Sequence, residues 1–253
     1  MYNIVKKTEE VLIVDDFLPV EIQEKILNQV QLDKWKRTDE VDDKFWHITD
    51  GLNYKNQKRW YGEYPHGDNS DLWFEHFHKF LTTCPDVDYF VENATTEGIY
   101  DFAMRCHAYP VGSKNPWHFD LGFSTYTYYL HKEWQVNWDS TLLILPKGSA
   151  TYNQTMEIME GSVHYDSYNE INSPMEMFQQ KNKYNNIMDI GHGTFVMPKP
   201  NRLVLIKHDC IHGITRVDGD AGENVRVTLT GAVGEKNWKQ RLPHLADVEK
   251  PTK

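Results

Sequence analysis

From Phe102 onward the chain breaks into short apolar or alternating runs separated by turn residues, and this pattern narrows the fold more than any other feature. Phe102 to Tyr109, Thr125 to Leu130, Thr141 to Leu145, Thr194 to Met197, Arg202 to Ile206, His212 to Val217 and Asn224 to Val233 are rich in β-branched and aromatic residues and too short for ordinary helices. Seven such runs supply enough strands for a sandwich or a jelly roll. They predict a mainly β chain with flanking helices.

The helices belong to the first part of the chain. Val11 to Val14 reads as a buried strand ended by Asp15-Asp16. Pro19 then suits the first turn of a helix in which Ile22, Ile26, Leu27 and Val30 recur at helical spacing. A second helix starts at Asn69 or Ser70, a capping residue, and carries Leu72, Trp73, Phe74, Phe77, Phe80 and Leu81 to about Thr83. Residues 33 to 68 are polar and irregular, a loop region with short strands and scattered aromatic anchors. Pro146 to Gly193 is rich in Asn, Gln, Met and Tyr and is far longer than a hairpin connection, so it reads as an insertion between two strands, placed to cover a pocket mouth.

The expected organisation is one domain over 1–253. Residues 1–98 form a helical and irregular support. A β core over 99–233 is interrupted by the 147–193 insertion, and 234–253 is a polar tail.

A formal charge of −10 leaves no basic footprint, so no nucleic-acid partner is expected. The three cysteines, Cys84, Cys106 and Cys210, have neither disulfide-framework nor zinc-knuckle spacing and read as small buried residues. No run approaches about 18 consecutive apolar residues, and the N-terminus lacks a signal-peptide core. A cytoplasmic protein without a membrane segment is expected.

Chemistry concentrates in Trp117-His118-Phe119-Asp120, with His212 and Arg226 downstream. Two imidazoles and a carboxylate can occupy one face of a divalent iron and leave the other positions open. His118 and Asp120, one residue apart, point to the same side of an extended segment. That spacing also occurs at His66/Asp68 and His164/Asp166, with a Glu variant at His131/Glu133, so the triplet alone selects nothing. His76 and His78, two apart on a helix, point in different directions. His192 and His164/Asp166 lie in or beside the insertion, where ligands would be poorly preorganised.

In Asn224-Val-Arg-Val-Thr-Leu-Thr-Gly, Val225, Val227 and Leu229 make one face and Arg226, Thr228 and Thr230 the other. If the second face turns inward, Arg226 requires either an acidic side chain or an acidic ligand. A salt-bridged residue at a strand edge is the alternative.

Several of these elements occur together in a recognisable order: Ala108-Tyr109-Pro110, His118-Phe-Asp120, Tyr128-Tyr129-Leu130-His131-Lys132-Glu133-Trp134, Pro198-Lys199-Pro200-Asn201-Arg202-Leu203-Val204-Leu205, His212-Gly213 and Arg226. Over about residues 100 to 233 the chain resembles the prolyl 4-hydroxylase-like branch of the 2-oxoglutarate- and iron(II)-dependent oxygenases, and its opening VLIVDDFLP also looks like the entry to such domains.

The resemblance implies a double-stranded β-helix, or jelly roll, with N-terminal helices packed on one sheet. It implies Fe(II) bound by His118, Asp120 and His212, and 2-oxoglutarate held at its distal carboxylate by Arg226. Tyr129 looks like the hydroxyl partner of that carboxylate, Tyr109 resembles a pocket tyrosine, and Thr228 is a further cosubstrate candidate. For both tyrosines plain aromatic core is the other reading. His212 is preferred to His208 as distal ligand because it stands at a strand start before Gly213-Ile-Thr-Arg-Val.

The implied activity is hydroxylation of an unactivated C–H bond in a peptidyl prolyl or other amino-acid side chain, or in a small molecule. It consumes dioxygen, releases succinate and CO2, and uses ascorbate (vitamin C) as reductant. Two departures bear on substrate preference. His131 stands where the family usually has Asn, and Asp139-Ser140 where it has Gly-Gly. A cupin-like metalloenzyme without 2-oxoglutarate and a non-enzymatic jelly-roll binding protein are the alternatives.

Overall fold

The computed structural model describes residues 2–29, 35–37, 52–54, 70–91, 100–102, 105–118, 124–149, 190–208 and 210–235. Its thirteen strands are β1 (Asn3–Lys7), β2 (Val11–Asp15), β3 (Trp35–Arg37), β4 (Leu52–Tyr54), β5 (Tyr100–Phe102), β6 (Arg105–Tyr109), β7 (Asn115–His118), β8 (Ser124–Tyr129), β9 (Leu142–Ile144), β10 (Thr194–Val196), β11 (Leu203–Ile206), β12 (His212–Ile214) and β13 (Arg226–Glu235). The described residues also form two α-helices, α1 (Val20–Gln29) and α2 (Ser70–Thr83).

The strands form two antiparallel sheets. The larger runs β1-β2-β11-β8-β13-β6-β4-β3, with β5 also on β13, and the smaller runs β10-β9-β12-β7. Six of the seven expected runs reappear with ends moved by a few residues. Phe102 to Tyr109 is instead two strands, since β5 pairs with Val233–Glu235 and β6 with Arg226–Thr230 of the long β13. The expected His212–Val217 strand stops at Ile214, and Val217 makes an isolated bridge to Asp139. Strands β1 and β7 were absent from the predicted series. The first is an edge strand with a mostly exposed, lysine-rich sequence, so it carries no alternating apolar signal. The second, Asn-Pro-Trp-His, has too few residues to show a period.

Alternation along the larger sheet feeds two cores. Leu12, Val14, Tyr126, Tyr128, Leu203, Leu205 and Leu229 face the helices, where α2 contributes Trp73, Phe74, Phe77, Phe80 and Leu81. Trp73 lies 4.9 Å from Tyr128 and Phe77 4.3 Å from Tyr126 between ring centroids, so this layer is aromatic on both sides. The helical stripe read from the sequence is therefore the buried face of α2. Val30, the last residue of the predicted α1 stripe, falls outside the described residues.

Val11, Ile13, Val204 and Ile206 point the other way, into the layer shared with Leu142, Ile144, Val196 and Ile214 of the smaller sheet. Cys84, Cys106 and Cys210 are buried and stand outside any disulfide.

The turn before β11 is fixed by polar groups. Asn201 adopts a left-handed φ of 58°, which Asn tolerates better than most side chains. Its amide donates to the Leu18 carbonyl at 2.8 Å, and its side-chain oxygen accepts from Leu18 N at 2.9 Å and the Tyr128 hydroxyl at 2.8 Å. Asp15, ending β2, accepts from Arg202 Nε at 2.6 Å and Lys199 Nζ at 2.7 Å. Burial would raise this carboxyl, but the two cations outweigh it and hold it below its ordinary range.

Candidate functional site

The layer between the sheets changes character across the larger sheet. It is apolar over β2 and β11, then polar over β8, β13 and β6. Register explains the change. Thr228 stands opposite Tyr129 of β8 and His107 of β6, and Arg226 stands opposite Tyr109. These residues share the parity of Val204 and Ile206, so they face the smaller sheet.

Arg226 and Thr228 are fully buried, and Leu229 on the opposite face joins the helix-side core. The guanidinium lies over two rings, 4.9 Å from the centre of Tyr109 and 5.0 Å from that of Tyr129. Ring faces attract a cation but do not satisfy its N–H groups. Nε, Nη1 and Nη2 of Arg226 make no hydrogen bond among the described residues, nor do the hydroxyls of Tyr129 and Thr228. Burial keeps the Tyr129 phenol protonated, pushing its pKa up against the opposing charge of Arg226 and an approach of the guanidinium to the phenol oxygen that falls short of hydrogen-bond geometry. Leaving such a group of buried donors unpaired is costly, and a planar carboxylate is the ligand whose geometry answers a guanidinium fork.

The smaller sheet contributes a histidine pair. His212 on β12 is directly opposite His118 on β7, with ring centroids 4.3 Å apart, and on its other side opposite Ile144, whose side chain lies in the inter-sheet core. His212 Nδ1 lies 2.9 Å from the Cys210 carbonyl. Donation there puts the ring's lone pair on Nε2, the tautomer suited to a metal. Gly213 permits the close strand approach, since a Cβ would sit 3.3 Å from the Asn115 carbonyl oxygen and from Trp117.

Asp120, the third expected ligand, lies outside the described residues, as do His66/Asp68 and His164/Asp166. Among the described residues no group of three metal-binding side chains occurs. His208 follows β11 and is half-buried, with its backbone N–H on Ser124 Oγ, while His212 occupies the position opposite His118. His192 is exposed near Ile190, and Glu133 is exposed away from buried His131.

Among the described residues, His107 on β6 and His131, just past the end of β8, are buried imidazoles of the larger sheet's side. The ring nitrogens of His131 lie 2.8 Å from the Pro198 carbonyl and 3.2 Å from that of Val227. His131 thereby ties the end of β8 to β13 beside Arg226. Burial pushes its pKa down to about 4, with Arg226 adding to the shift and the carbonyls opposing it. His107 is pushed down to about 4 by burial and then by Arg226.

Both rings are therefore neutral in the folded chain and titrate near 6.5 when unfolded. The unfolded chain binds the extra protons between these values, so stability is complete above the unfolded pKa and falls as pH drops toward 4. Near pH 5 each histidine removes about 2 kcal/mol of unfolding free energy. Urea melts of the metal-free protein at neutral pH and near pH 5 are expected to show the loss, and His131→Gln to halve it. Equal stability at both pH values would contradict neutral burial.

His107 was not singled out from the sequence. It stands two residues before Tyr109, so strand parity alone puts both on one face. That signal was available.

No family model and no curated protein matches the sequence. Solved structures do. A Pseudomonas putida prolyl-4-hydroxylase superposes with a TM-score of 0.54 at 12% identity, covering 90% of this chain and 93% of that one. The chain shares that protein's fold. A 2OG-Fe(II) oxygenase family oxidoreductase from Burkholderia pseudomallei aligns with a TM-score of 0.43 at 9% identity, covering 88% of this chain and 83% of that one. The non-heme alpha ketoglutarate dependent epimerase SnoN from nogalamycin biosynthesis aligns with a TM-score of 0.44 at 9% identity, covering 89% and 77%.

Proposed function

We propose that the chain is an iron(II)- and 2-oxoglutarate-dependent oxygenase that hydroxylates an unactivated C–H bond, with an amino-acid side chain, prolyl included, as the substrate class. In this reading the two sheets are the jelly-roll core of a single oxygenase domain. The observation that carries it is the unpaired guanidinium of Arg226, buried between two sheets, one of which holds the His118–His212 pair. The fold shared with a prolyl-4-hydroxylase supports the same reading.

The residues fit both groups. His118 and His212 offer two imidazoles from facing strand positions, and Asp120 follows His118 at the spacing that shares its strand face. Arg226 offers charge and paired N–H donors, and Tyr129 and Thr228 add hydroxyls, so the distal carboxylate of a five-carbon keto diacid would be held there. Iron(II), when bound, would let dioxygen act as the oxidant: one oxygen atom would go to 2-oxoglutarate, which is oxidised to succinate and CO2, and the other to the substrate C–H bond.

The chain's own part is placement. Arg226 fixes one end of the cosubstrate and the histidines fix the metal, which sets where oxidation occurs. The apolar side chains over β2 and β11 keep water from the layer.

The test is turnover. Protein given iron(II), ascorbate, dioxygen and 2-oxoglutarate should release succinate slowly without prime substrate and faster with a matching peptide or amino acid. No succinate under any of these conditions, with iron bound, would overturn the proposal.

A further inference from the structure

The buried ring of His131 is held between two oxygens. Its Nε2 lies 2.8 Å from the Pro198 carbonyl and its Nδ1 lies 3.2 Å from the Val227 carbonyl. Both partners can only accept, and a neutral imidazole carries a single N–H. The shorter contact takes that proton. A lone pair on Nδ1 then faces the Val227 oxygen, which already accepts the backbone N–H of Leu130 at 2.9 Å. Only the doubly protonated ring could donate at both ends.

Two things oppose the second proton, burial first and then the charge of Arg226, which directly precedes Val227 on β13. The other groups around the ring among the described residues do not replace that charge. Tyr129 on β8 is a protonated phenol, and Lys132 and Glu133 are exposed neighbours of opposite sign. Lys199 and Arg202, in the turn that follows Pro198, are engaged by Asp15. From α1 the uncharged amide of Gln23 donates to the Leu130 and His131 carbonyls, each at 3.4 Å.

We propose that His131 takes up a proton when an acidic ligand pairs with Arg226, so that cosubstrate binding is linked to proton uptake. The proposal deepens the oxygenase reading and rests on it. A carboxylate on the guanidinium cancels the charge that repels an imidazolium, while the two carbonyls stay in place to receive both N–H groups. The proton comes from solvent and forms an N–H bond at Nδ1, which then donates to the Val227 oxygen. Arg226 and neutral His131 carry one positive charge before binding. Arg226, the carboxylate and protonated His131 carry one positive charge afterwards.

In the empty chain His131 is held down to about 4. Cancelling the charge of Arg226 should raise it by about one to two units. Uptake is therefore largest between the two values and vanishes well above the higher one.

Zinc-loaded protein, in which no turnover occurs, would be titrated with 2-oxoglutarate in buffers of different ionisation enthalpy, so that calorimetry counts the protons taken up. The comparison is His131→Gln, whose neutral amide can still donate to a carbonyl but takes no proton in this range. His107, the zinc ligands and the carboxyls of 2-oxoglutarate are common to both proteins. At pH 5.5 wild type should take up about a quarter to three quarters of a proton more than His131→Gln, and at pH 8 the two should agree.

Equal uptake by the two proteins at pH 5.5 overturns the proposal, and so does an excess in wild type that persists undiminished at pH 8. If His131→Gln does not fold, His131→Asn takes its place with the same expected difference. Wild-type protein that binds zinc but not 2-oxoglutarate would refute the oxygenase reading itself, an outcome distinct from 2-oxoglutarate binding without the extra proton.

Discussion

Replacing Arg226 with Met is expected to move stability and cosubstrate binding in opposite directions. Arg226 is among the largest fully buried side chains, and its guanidinium nitrogens lack hydrogen-bond partners among the described residues. A side chain placed only to strengthen the fold would not leave that many donors unsatisfied. Methionine fills a similar elongated volume without charge, so the metal-free protein should unfold about 1 to 4 kcal/mol later than wild type. Affinity for 2-oxoglutarate should fall by about 2 to 5 kcal/mol, or about 30-fold to several thousand-fold, because the carboxylate would lose the one charged partner that the described residues offer in the seat. Chemical melts and calorimetric titration of zinc-loaded protein read the two effects independently. A variant that is less stable and binds 2-oxoglutarate normally would make Arg226 a structural residue.

This opposition reflects how function is stored in the fold. The polar group of Arg226, Thr228, Tyr129 and His107 on β8, β13 and β6 occupies the same sheet face that the neighbouring β11 and β2 fill with Val204, Ile206, Val11 and Ile13. The same layer is thus a packed core at one side and a donor-lined seat at the other. Stability is surrendered where a ligand is to supply the missing partner.

Part of this was legible in the chain. Alternation in Asn224 to Val233 separates Arg226 and Thr228 from Val227 and Leu229, and the structure buries the first pair between the sheets and seats Leu229 against the helices. The periodicity of Trp73, Phe74, Phe77, Phe80 and Leu81 likewise gave the buried face of α2. Strand pairing was not legible. That β12 would meet β7 in the register that sets His212 opposite His118 depends on strands distant in sequence, with no local turn to fix it. The division of β5 from β6 was hidden for a similar reason, because β13 is long enough to pair with both and only the partner's length separates them.

Removing either histidine tests that register. His212→Ala and His118→Ala should each weaken divalent metal binding by well over 100-fold, since loss of a hydrogen-bonded support to a ligand alone costs about 10- to 100-fold. His208→Ala should leave metal binding intact, as His208 does not occupy the strand position opposite His118. The metal-free fold should survive His212→Ala with little change, because the donation from His212 Nδ1 to the Cys210 carbonyl contributes only about 1 kcal/mol net. Metal added at about a thousand times the wild-type Kd should stabilise wild type by about 4 kcal/mol, and His118→Ala and His212→Ala by no more than about 1 kcal/mol. The comparison is a thermal shift with zinc or anaerobic iron(II) across the four proteins. Full stabilisation of His212→Ala, or its loss in His208→Ala, would place the metal elsewhere, and the Arg226 seat would then have to be explained without it.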